Sequence, residues 1–358
     1  MMNRTAFGAA ALLLALTLGS GGAANAQGEA RKNLLLDAKT WAFQLKNLGP
    51  DQQAKIAASP FDLVVIDSAN FLPDDNREYP LTPAELERMK KKPDGSRRLV
   101  IAYFSVGETE NYRNYWKPEW NTKRPAWMGK ENKQWPGNYL AHYWNPTWQN
   151  IIMGGPDSFA DRVINSGFDG FYIDRVDAYY YFGDTTAKRD EMASFIVKLA
   201  NYIRSKKPDA MILSQNAEEL LDRPAYVRAI DGIAKEDLIF GISHAEKINP
   251  ADDISHTSRL LTSAKNAGKA IFVIEYLKQL PNIQAVLDRT KQLGYVLYVG
   301  PRGLGSLVSG SPEAILQTGV VPVEENAGDG QTGGAAAAPA PAKKQGIIKR
   351  TLQKLKKG

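Results

Sequence analysis

Between residues 27 and 323 the chain repeats one pattern: a short apolar run, a polar break, then a longer stretch with apolar positions at helical spacing. The runs are Trp41 to Leu45, Leu63 to Ile66, Leu99 to Phe104, Gly170 to Ile173, Met211 to Leu213, Gly232 to Ala234, Ile271 to Ile274 and Tyr295 to Val299. Continuous apolarity over so few residues predicts strands buried on both faces, while Glu191 to Ser205 and Ala285 to Gly294 read as amphipathic crossover helices. Strands alternating with helices imply a parallel sheet, and eight such units predict an α/β fold of the (β/α)8 TIM-barrel type in one domain, 27–323. The pattern lapses from Gly107 to Asn150, which is rich in Trp, Tyr, Pro and Asn and reads as a long functional loop after the third strand.

The ends of the chain follow other rules. Arg4, the apolar stretch Ala9 to Leu18 and Ala24-Asn25-Ala26 predict a signal peptide over 1–26, with the mature chain starting at Gln27 in the periplasm or outside the cell. The stretch is too short to span a bilayer as a helix. Residues 324–345 are a Gly, Ala and Pro linker, and 346–358 a basic amphipathic tail with Ile348, Leu352 and Leu355 on one face. Seven of the 45 basic residues fall between Lys343 and Gly358, so the remainder is close to balance against 39 acidic ones. The net charge of +6 therefore belongs to the tail. It predicts contact with an anionic membrane or envelope polymer there, and no nucleic-acid binding by the body.

With 0 cysteines the chain has neither disulfides nor thiolate metal sites. His142, His244 and His256 form no H-E-x-x-H pair, and no G-x-S-x-G, phosphate-binding loop or D-x-D-x-D-G pattern occurs, so no metal or cofactor is expected. What recurs instead is a carboxylate at or just past the end of a strand: Asp67, Glu108, Asp174, Glu218, Glu236 and Glu275. In a barrel those ends share the active-site face. One such acid is as well read as a helix cap, but capping alone would draw on Ser, Thr and Asn as readily. Tyr103, Tyr112, Tyr115, Trp116, Trp120, Trp135, Tyr139, Tyr143, Trp144 and Trp148 crowd the approach to the fourth strand. Aromatic faces beside carboxylates suit sugar rings, and packing of the loop on the barrel accounts for about half of the ten.

The stretches WAFQLKN, FDLVVIDS, IAYFSVGETENYRNYW, HYWNP, GFDGFYIDRVDAY, LSQNAEEL and IDGIAKED, with a weaker VIEYL, give the sequence from Trp41 to Gly303 its resemblance to the endo-α-1,4-polygalactosaminidase-like glycoside hydrolases and related barrel proteins. The resemblance implies a two-carboxylate cleavage of an α-linked, galactosamine-containing exopolysaccharide; the spacing of the two carboxyls decides between retention and inversion, and retention is the expectation. Its catalytic pair falls on Asp174 as nucleophile and Glu236 as acid/base. Asp67, Tyr103, Glu108, Tyr143, Trp144, Tyr172, Asp177, Asn216 and Glu275 are then the residues expected to bind sugar hydroxyls or a protonated amine. The alternative is a barrel that binds exopolysaccharide without cleaving it.

Overall fold

The computed structural model describes residues 29–323 apart from 31, 72–77, 308 and 309. The expected leader, linker and tail lie outside the described residues. Eight parallel strands form one sheet: β1 (Trp41–Gln44), β2 (Leu63–Ile66), β3 (Leu99–Ser105), β4 (Gly170–Asp174), β5 (Met211–Gln215), β6 (Gly232–Glu236), β7 (Ala270–Glu275) and β8 (Val296–Val299). They neighbour one another in chain order. Trp41 Nε1 on β1 donates to the Val296 carbonyl of β8 at 3.1 Å, bringing the last strand back to the first in a (β/α)8 barrel. Helices such as Thr186–Lys206, Ala251–Asn266 and Leu280–Leu293 form the outer layer, each burying an apolar face against the strands.

Strand register decides which side chains enter the barrel, because successive residues point to opposite faces. Trp41 stacks near Phe43, Tyr172, Phe272 and Tyr298, rings contributed by β1, β4, β7 and β8, so these positions face inward and fill the interior. From Tyr172 the pairing carries that face to Tyr103, Leu213, Gly232 and Ala234. Two residues further toward the C-terminal ends it reaches Asp174, Gln215 and Glu236. The barrel is apolar and aromatic through its middle and turns polar only in its last layer.

Gly107 to Asn150 is more ordered than its composition suggests. Glu108–Glu110, Met128–Glu131 and Asn138–Ala141 form a three-stranded antiparallel sheet, and Pro146–Met153 is a helix. The strands are short and polar, and a register shift separates Met128 from Glu131, so no alternation shows in the sequence. Gly107 admits the entry to this sheet: a Cβ there would stand 2.2 Å from the Arg175 carbonyl oxygen.

Candidate active site

The polar layer at the C-terminal mouth begins with Asp174, the last residue of β4. Arg175, at φ 60, turns the chain left-handed, so its backbone N–H donates to Asp174 Oδ1 at 2.6 Å. Tyr103 on the adjoining β3 donates its hydroxyl to Oδ2 at 2.7 Å. Two hydrogen bonds favour the ionised form but do not offset burial: the carboxyl is pushed up to about 6, by burial first and with the Asp177 charge adding to it, against Arg175 and Tyr103.

Glu236 ends β6 with one strand between it and Asp174. Its Oε1 accepts from the Tyr276 hydroxyl, while Oε2 is buried without a partner. Burial, then the charges of Asp237 and Asp174, push it up to about 8. Two carboxyls thus share a buried mouth, and Glu236 is held protonated to higher pH than Asp174. Asn216, at φ 52, supports this strand end: its Oδ1 accepts from the Glu236 backbone N–H at 3.2 Å and from Lys235 Nζ at 3.1 Å. A small recess opens beside the pair, lined by neither of them but by Asp177, Asn216, Glu218, Lys235 and Asp237 among others.

The remaining acids at the mouth are engaged elsewhere. Both oxygens of Asp67 accept from Arg113, at 2.7 and 2.8 Å, and neither side chain is exposed to solvent. Glu108 pairs with Arg175 at 2.7 Å and accepts from Asn132 at 3.0 Å. Glu275 accepts the backbone N–H groups of Ile239 at 2.7 Å and Phe240 at 3.3 Å, which fixes the loop after β6; Glu218 accepts from Thr257.

Among the aromatic candidates, Tyr172 faces inward two residues before Asp174 and its hydroxyl is buried without a partner. Tyr143 lies in the core and donates to the Lys188 carbonyl at 2.8 Å. Trp144 stacks on His142, meets Phe182 edge-on and carries the Lys188 ammonium 3.2 Å from its ring centroid, so protein groups already occupy the ring. The structure thus gathers Asp174, Glu236, Tyr103, Tyr172, Asp177 and Asn216 near one another, and places Asp67, Glu108, Glu275, Tyr143 and Trp144 in structural contacts.

Two residues were missed by the sequence reading. Gln215 ends β5, between the strands of Asp174 and Glu236, and both atoms of its buried amide lack partners. Tyr276 follows β7 and reaches Glu236. Counting in twos from Leu213 or Ile274 would have pointed to both, but the choice of face needs the strand pairing.

The model of glycoside-hydrolase family GH114 matches residues 22–313. The chain belongs to that family. As a GH114 member it is a glycoside hydrolase. A protein of Deinococcus radiodurans is 33% identical over 285 residues, covering 79% of this chain and 86% of its own. Among solved structures, the glycoside hydrolase domain of PelA from Pseudomonas aeruginosa superposes with a TM-score of 0.56 at 18% identity, over 76% of this chain and 98% of that one. Aspergillus fumigatus Ega3 in complex with galactosamine gives 0.50 at 20%, over 76% and 95%. At these identities the two structures speak for the barrel fold alone.

Proposed function

We propose that this GH114 barrel cleaves an α-linked, galactosamine-containing exopolysaccharide with retention, Asp174 acting as nucleophile and Glu236 as acid/base. The observation that carries the reading is the division of labour between two buried carboxyls on one inward face. Glu236, at about 8, holds a proton to give to the glycosidic oxygen at neutral pH, and Asp174, at about 6, is ionised and able to attack C1. Asp174 suits the nucleophile because its short side chain ends a core strand and two donors fix its oxygens, which leaves little reorganisation for the attack.

Galactosamine enters through the Ega3 complex and through the acidity of the mouth. Asp177 and Glu218 wall the recess beside the pair, where a protonated sugar amine would lower the cost of burying their charge. Tyr172 and Gln215 add unpaired polar atoms able to bind sugar hydroxyls. The N-terminal stretch read as a leader would carry the enzyme out of the cytoplasm, and the basic tail would hold it to an anionic surface.

The test is incubation of purified protein with α-1,4-linked galactosamine polymer and with its fully N-acetylated form. New reducing ends from the first substrate, with proton NMR showing the α-anomer as the initial product, support the reading. Release from the acetylated polymer alone would move the substrate class, and a β-anomer first would replace retention by inversion.

A further inference from the structure

Tyr276 continues the inward face of β7, and its hydroxyl donates to Glu236 Oε1. Oε2 of the same carboxyl is equally buried and meets no partner. A protonated carboxyl has one oxygen free to accept and one that carries the proton. A phenol donating to Oε1 therefore leaves the proton on Oε2, the oxygen with no protein group to satisfy it. We propose that Tyr276 is a positioning residue for bond cleavage: it selects Oε2 of Glu236 as the atom from which the proton leaves, and Arg302 holds the Tyr276 ring in that pose. This rests on reading Glu236 as the acid.

Arg302 supplies the support. Its guanidinium lies over the Tyr276 ring, 4.1 Å from the centroid, and donates to both oxygens of Asp237, at 2.8 and 3.2 Å. Asp237 is the residue after Glu236 and turns the chain left-handed at φ 50. The contacts close a ring, from Glu236 through Tyr276 and Arg302 to Asp237 and back along one peptide bond. Burial and the charges of Glu236 and Asp237 hold the Tyr276 phenol well above its ordinary range against Arg302, so the phenol keeps its proton and acts as a donor to Glu236. The charged and titratable groups around Glu236 are Asp174 and Tyr172 from β4, Asp237 in its own turn, Tyr276, and Arg302 from the segment after β8.

In the step itself the proton passes from Oε2 to the glycosidic oxygen, and the C1–O bond breaks with its electrons going to that oxygen. An Asp174 oxygen then bonds to C1. Water later adds to C1, returns a proton to Glu236 and frees Asp174. Only the first half needs an acid, and only when the leaving group is a poor one.

Tyr276→Phe in the full chain removes the hydroxyl and keeps the ring. On α-1,4-linked galactosamine oligomers kcat should fall about 10- to 100-fold, within the range that general acids contribute. On 4-nitrophenyl α-galactosaminide, whose leaving group needs no proton, the fall should stay within about 3-fold. The alkaline limb of kcat/KM should move to higher pH, because the lost hydrogen bond favoured ionised Glu236. Arg302→Met, which frees the ring without touching it, should show the same substrate selectivity with a smaller loss, and it stands in if the first variant melts early. Equal losses on both substrates with an unmoved limb would overturn the inference. Glu236→Gln separates the two readings: if it still cleaves oligomers, Glu236 is not the acid. If it is inactive while Tyr276→Phe shows no selectivity, only the role of Tyr276 falls.

Discussion

Two groups of buried carboxylates stand at the same end of the barrel, one built around a cation and one without. Asp67, Glu110 and Glu78 surround Arg113, whose guanidinium donates to all three. Burial works against that charge, but Asp67, Glu110 and Glu78 outweigh it and hold the guanidinium protonated well above its ordinary range. Rings of Phe71, Tyr112 and Phe159 pack about it. Asp174 and Glu236, by contrast, receive two tyrosine hydroxyls and one backbone N–H, and their nearest guanidinium groups pair with Glu108 and Asp237. The first group ties the segment after β3 to the end of β2. Burial raises acids in both groups, Glu110 to about 7, Asp174 to about 6 and Glu236 to about 8; what sets the second apart is that its two acids bond only neutral donors and face one mouth together.

The sharpest break between the groups comes from neutralising one acid at a time. Asp174→Asn and Glu236→Gln should each lower kcat on the polymer on the order of 1000-fold or more, with Tm unchanged or raised because a poorly compensated buried acid is gone. Steady-state kinetics and thermal melts check both halves. Arg113→Met should do the reverse. It strands Asp67 and Glu110, costs about 3–5 kcal/mol by urea unfolding, and leaves kcat per folded molecule within a few-fold.

The pH dependence sharpens the contrast. Activity should follow a bell whose acid limb reports ionisation of Asp174 at about 6 and whose alkaline limb reports Glu236 at about 8. Both carboxyls titrate higher in the folded protein than in the unfolded chain. Their contribution to stability is therefore complete below the ordinary carboxylate range, and it is lost as pH rises through about 6 for Asp174 and about 8 for Glu236. Melts should show Tm falling as pH rises over that interval, with a flatter profile in Glu236→Gln. The smallest effect belongs to Trp144→Ala. With Lys188 and His142 on its ring, the loss should appear as about 1–2 kcal/mol of stability, with polymer binding changed less than about 3-fold.

The barrel was legible because a parallel strand buried on both faces writes itself as an apolar run, and all eight runs are strands. Their ends were not. Apolarity stops at Phe104, Ile173, Leu213, Ala234 and Ile274, whereas the ladders continue through Ser105, Asp174, Gln215, Glu236 and Glu275. The side chains at the mouth are thus strand residues whose direction is set by register. An unpaired sequence carries no register, so Asp67 and Asp174 looked alike as strand-end acids. What separates them is Arg113, which lies 46 residues from Asp67. Gln215 and Tyr276 were hidden for the same reason, since each matters through the strand beside it.

The charge held by Glu236 tests the account most directly. With carboxyl-labelled glutamate in the full chain, the Glu236 signal, assigned by its loss in Glu236→Gln, should titrate in carbon-13 NMR with a midpoint near 8. A midpoint close to 4.5, the ordinary value for a glutamate, would contradict it: the carboxyl would then be ionised at neutral pH with no proton to deliver.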